Sequence, residues 1–94
     1  MACGVPTILS ANTGHLDLIA DRVCIPLRSQ VSVPGSAHGG WGTSSVDEMV
    51  EAMETVYADR AMACAIGAGG AAAMAGLSWG QQMTSLADLL TELA

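Results

Sequence analysis

Few residues in this chain are of the types that do chemistry, and they lie far apart. Two histidines, three cysteines and nine carboxylates stand beside three arginines, with a net charge of −6 over 94 residues. His15 and Asp17 are two apart. Acid–base catalysis needs groups that converge on one proton, and residues two apart on a helix do not share a face. Both read as surface residues. Cys3, His15, Cys24 and His38 are the one conceivable metal set. Zinc ligands come in closely spaced pairs, no such pair occurs here, and no metal is expected. The odd cysteine count without a CxxC pair argues against a disulfide framework. It fits a reducing, cytoplasmic compartment. No catalytic residue and no cofactor is assigned. His38-Gly39-Gly40-Trp41 admits a sugar-stacking lid, but a loop with Trp41 packed on the domain is the favoured reading.

Charge removes two classes of partner. Arg22, Arg28 and Arg60 are the whole cationic complement. Nucleic-acid binding needs clustered Lys and Arg, so it is excluded. An anionic membrane surface is disfavoured on the same ground. The stretch 61–77 is too short and too weakly apolar for a spanning helix, and no basic leader precedes an apolar core. The methionines at 49, 53, 62, 74 and 83 and the acids Asp47, Glu48, Glu51 and Glu54 read as core and as solvated helix face respectively.

The elements that must position these residues follow from pattern. Val5–Ser10 is an apolar run between turn residues, the signature of a buried strand. Thr13–Ala20 has helical spacing, with Asn12 or Thr13 as cap. Val23–Leu27 is a second strand, and Pro26 within it marks either its end or an edge. Strand, helix, strand implies a parallel pair. Positions 28–44 hold four Gly, one Pro and five Ser or Thr, the composition of a long loop. Ser45-Val46-Asp47-Glu48 is a capping box that opens a helix over Val46–Asp59. Val46, Met49, Val50, Met53 and Val56 form its expected core face. A second helix over Ala61–Gly76 is weakened by Gly67, Gly69 and Gly70, which either permit close packing or break it. Ser78-Trp79-Gly80-Gln81 is a second capping box, opening a helix over Gly80–Leu93 with Met83, Leu86, Leu89, Leu90 and Leu93 on one face. The fold class is α/β: short parallel strands followed by three helices.

Ligands of parallel α/β sheets bind beyond the carboxyl ends of the strands. That rule puts Ser10, Asn12, Thr13, Gly14 and His15 nearest any ligand, with the amides of Gly14 and His15 at a helix start. The competing reading is an ordinary capped turn, which is favoured while the rest of a cleft is missing.

Read together, Met1-Ala2-Cys3-Gly4-Val5-Pro6-Thr7-Ile8, Thr13-Gly14-His15-Leu16-Asp17-Leu18-Ile19, Asp47-Glu48-Met49-Val50-Glu51-Ala52-Met53 and Leu77-Ser78-Trp79 resemble, in order, phrases of the retaining GT-B glycosyltransferases of family 4. The resemblance runs over essentially the whole chain. The 28–44 stretch is longer than the commonest family pattern, so donor and acceptor identities do not carry over. The resemblance implies a Rossmann-like fold, the C-terminal part of a donor-binding domain. The full-length enzyme would transfer a hexose from a nucleoside-diphosphate sugar with retention of configuration and without an obligatory metal. Ser10, Asn12, Thr13, Gly14 and His15 would then face the donor. The family's two donor-site glutamates, its diphosphate-binding basic residues and its acceptor domain have no counterpart in these 94 residues. The chain is therefore expected to be an inactive fragment. The alternative is a non-enzymatic interaction module: two strands are marginal alone and leave open edges, so an oligomer or docking onto the missing half is expected.

Overall fold

The computed structural model describes every residue except Ser36 and His38. It is a mixed α/β chain in which short strands precede three helices. The strands are β1 (Ile8–Ser10), β2 (Ile25–Leu27), β3 (Gln30–Ser32) and β4 (Gly42–Ser44), and the helices are α1 (Val46–Ala58), α2 (Arg60–Ala75) and α3 (Trp79–Leu93). β1 and β2 are parallel, with Ile8 opposite Ile25, Leu9 opposite Pro26 and Ser10 opposite Leu27. The amide of Ile25 donates to Thr7 O and the amide of Ala11 to Leu27 O. Pro26 occupies the alternate position, where its missing N–H faces away from β1. This is how an edge strand accepts a proline.

The connection between these strands is a six-residue 3-10 helix, Thr13–Leu18, and not the α-helix expected over Thr13–Ala20. No residue of this turn is buried, and Leu16, expected on its apolar face, is exposed. Asn12 does sit at the cap position, but its side chain makes no cap hydrogen bond.

The stretch 28–44 is not simply a loop. β3 and β4 form an antiparallel hairpin, Gln30 opposite Ser44, Val31 opposite Thr43 and Ser32 opposite Gly42. The amide of Val33 donating to Trp41 O extends it. β-branched Val31, Val33 and Thr43 favour the pleat, and their signal is diluted by the glycines and serines around them.

The helices start where their caps stand. Ser45 Oγ accepts from the Glu48 amide at 3.4 Å. The return half of that box is absent, because the Glu48 carboxylate accepts instead from the amides of Arg28 at 2.8 Å and Ser29 at 2.9 Å. Asp59 ends α1 and caps α2, its carboxylate accepting from Met62 N at 2.9 Å. At α3 the Ser78–Gln81 box is complete.

α2 runs unbroken through its glycines, which permit close packing. A Cβ on Gly67 would lie 2.1 Å from Gly4 O, and one on Gly69 would lie 2.1 Å from Arg22 O. The turn backbones that lead into β1 and β2 thus rest directly on the helix. Gly4 itself has φ +73, a conformation that suits glycine, and its amide closes the Met1–Gly4 turn onto Met1 O.

The core is small. Cys24, Leu27, Ala52 and Ala63 are its buried apolar side chains among the described residues. On α1 the inward positions are Met49, Ala52 and Val56, whereas Val46, Val50 and Met53, expected in the core, are exposed. Every residue of α3 is exposed. No single helix is long and apolar enough to cross a membrane, and α2 and α3 are bent by 41° at their junction.

Candidate functional site

The turn after β1 meets the hairpin through one polar network. Asn12 Nδ2 donates to Gln30 Oε1 at 2.8 Å and to Gly42 O at 3.1 Å. Gln30 Nε2 donates to Leu27 O and to Ser44 Oγ, both at 2.8 Å. Ser44 Oγ donates to Ser10 Oγ at 2.8 Å. Four side chains therefore lace the carboxyl end of β1 to β3 and β4. Half-buried amides are costly to leave unpaired, so this lacing fixes the register of the hairpin against the parallel pair.

Beside the network lies an open groove of about 370 Å³. Asn12, Thr13 and Leu16 form one wall, Gln30 and Ser32 another, and Gly40, Trp41 and Gly42 a third. Trp41 is 55% exposed and lines the groove rather than packing away in the domain. The walls combine an indole, a leucine and amide groups already committed to one another. Such a surface offers a flat apolar plate for a ring, with little free polar capacity.

The residues singled out from the sequence divide here. Asn12 and Thr13 line the groove; Ser10, Gly14 and His15 stand outside its wall. Thr13 holds φ 45, a left-handed backbone conformation, and its hydroxyl donates to Asn12 Oδ1 at 3.1 Å. His15 Nδ1 lies 3.2 Å from Ser10 O, and its amide donates to Asn12 O. The His15 amide is thus engaged within the turn, while Gly14 has open space beside its Cα. Sequence reasoning missed Gln30, the hub of the network; its one signal was a polar residue opening the β-branched run Val31–Val33. His38 of the expected lid lies outside the described residues.

A larger cavity of about 640 Å³ runs between β2 and the α1–α2 corner, past Cys24, Pro26, Thr55, Met62 and Ile66. It follows the unpaired edge of β2 and not the strand carboxyl ends. Among the described residues, no three His, Cys, Asp or Glu side chains gather where a metal ion would be held. The three cysteines are free thiols, Cys24 buried and Cys3 and Cys64 exposed.

Set against known proteins, the chain matches no family model, no curated protein and no solved structure.

Proposed function

We propose that this chain is the C-terminal part of a Rossmann-like, donor-binding domain of a retaining GT-B glycosyltransferase, where it forms scaffold and one wall of a nucleoside-diphosphate-sugar cleft. The position of the groove carries the reading. It opens at the carboxyl end of β1, where parallel α/β sheets take their ligands, a few residues after the Met1–Ile8 phrase on which the family resemblance rests. The exposed Trp41 ring suits a base or a sugar ring. Stabilising a leaving diphosphate needs preorganised cations or amides, and the described lining of the groove includes no cation. On this reading those groups come from elsewhere in a longer, cytoplasmic protein, and the isolated chain transfers no sugar.

The test is a titration of the isotopically labelled chain with UDP-, GDP- and ADP-hexoses at millimolar concentration, with nucleotide release assayed in parallel. Amide shifts at Ala11–Thr13 and at the Trp41 indole are expected, with no release. Sugar transfer or donor hydrolysis by the chain alone sinks the claim of inactivity. Silent groove amides sink the placement of the donor.

A second reading, an interaction or oligomerisation module without catalysis, is favoured by a separate observation: apolar faces of α1 and α3 are left uncovered.

A further inference from the structure

The apolar residues of α3 form a stripe that could pack on a core or on another helix, and no core among the described residues takes it. Trp79, Met83, Leu86, Leu90 and Leu93 follow one another at steps of four, three, four and three. That is the heptad step of a helix seam meeting a second helix, sustained over the whole of α3. Leu89 widens the stripe on one side. No described residue covers it: Trp79 is 80% exposed, Leu93 75%, and the apolar residues between them about half. A helix of this length is marginal in water without a packed face. α2 and α3 are bent by 41° at their break, and every residue of α3 is exposed.

We infer that a second copy of this chain covers the face, in a symmetric pairing of α3 with α3. The inference deepens the interaction-module reading by naming its surface and its partner. Charge supports a like partner. The seam-flanking positions are Gly80, Gln82, Ala87, Leu89 and Ala94, all uncharged, and the acids Asp88 and Glu92 sit away from the seam. Two copies can therefore approach without placing carboxylates opposite each other, although each carries −6. The exposed stripe of α1, by contrast, is interleaved with Asp47, Glu51 and Glu54, which would repel a second copy of itself. Area also suffices. Six side chains at roughly 100 Å² each give about 1,200 Å² over two protomers, the lower bound for a specific stable interface. An isologous contact of this kind closes at two copies.

The experiment is sedimentation equilibrium of the 94-residue chain and of a Leu86→Glu/Leu90→Glu double variant, from about 1 to 100 µM, the range in which an interface of this size associates. Both side chains are already exposed, so the substitutions leave the strands and α2 intact; the thermal melt of the double variant at low concentration checks this. A wild-type dimer that becomes monomeric in the double variant is the expected result. A dimer unchanged by the double substitution overturns the α3 seam while leaving self-association standing. A wild-type monomer at every concentration overturns both.

Discussion

The carbonyls of Gly4 and Arg22 touch α2 where glycine provides no side chain, so single methyl groups decide the approach of the helix to the turns that lead into β1 and β2. A Cβ at residue 67 or 69 would stand 2.1 Å from a backbone oxygen, and backbone yields less readily than a side-chain tip. Gly67→Ala and Gly69→Ala gain helix propensity of up to about 1 kcal/mol each and lose more through overpacking, for a net loss of about 2 kcal/mol. Gly80→Ala on α3 meets open space and should gain about 0.5–1 kcal/mol. Urea unfolding followed by circular dichroism separates the two signs. Glu48 is the other residue whose role exceeds its appearance. Its acidic neighbours on α1 are solvated, but its own carboxylate holds the amides of Arg28 and Ser29 where β2 leaves for the hairpin. Glu48→Ala should cost about 1–2 kcal/mol, a charged hydrogen-bond value reduced for partial exposure. Asp47→Ala should remain within about 0.5 kcal/mol.

At the scale of elements, the hairpin depends on contacts made far along the chain. Asn12 is eighteen residues from Gln30 and thirty from Gly42. Asn12→Ala removes both donors and leaves Gln30 Oε1 short of a partner. The hairpin should then open locally, with the Val33 amide, bonded to Trp41 O, exchanging about tenfold faster, which corresponds to about 1.4 kcal/mol. Exchange in the middle of α2 should not change. A uniform rise across the chain would mean that Asn12 supports the whole fold and not the hairpin alone. The same contrast explains what was legible in the sequence. The three α-helices were, because the start signals of two of them are local: Ser45 and Ser78 each act within three residues. The Asp59 cap of α2 is just as local and went unread. The parallel pair was, because two apolar runs joined by a helical turn imply a crossover between parallel strands. The hairpin was not, since its register is written in pairs such as Gln30 with Ser44 and not in composition. The turn after β1 was located by the rule for strand ends, but Gln30, which holds it, has no local signature. Helical spacing also identified the apolar face of α1 without revealing that Val46, Val50 and Met53 would stay uncovered.

At the scale of the molecule, shape and charge combine. The radius of gyration is 16.4 Å, against roughly 12 Å for a compact chain of this length. The excess belongs to an extended body of 52 × 39 × 16 Å whose third helix has no cover. With a core of four small or medium side chains, little of the stability of α3 comes from within one copy. Stability should therefore depend on concentration, since whatever binds only the folded chain raises its melting temperature. It should also depend on salt in a direction that identifies the force. Pairing two copies brings together two bodies of charge −6, and their repulsion is long-ranged and screened, with a Debye length falling from about 20 Å at 20 mM to about 4 Å at 500 mM salt. The α3 seam has no ion pairs to lose. Raising salt over that range should thus strengthen association, several-fold in the dimerisation constant, and raise the melting temperature at fixed protein concentration. An interface built on ion pairs would weaken instead. The Leu86→Glu/Leu90→Glu chain provides the control, because its melting temperature should respond to neither protein concentration nor, through association, to salt.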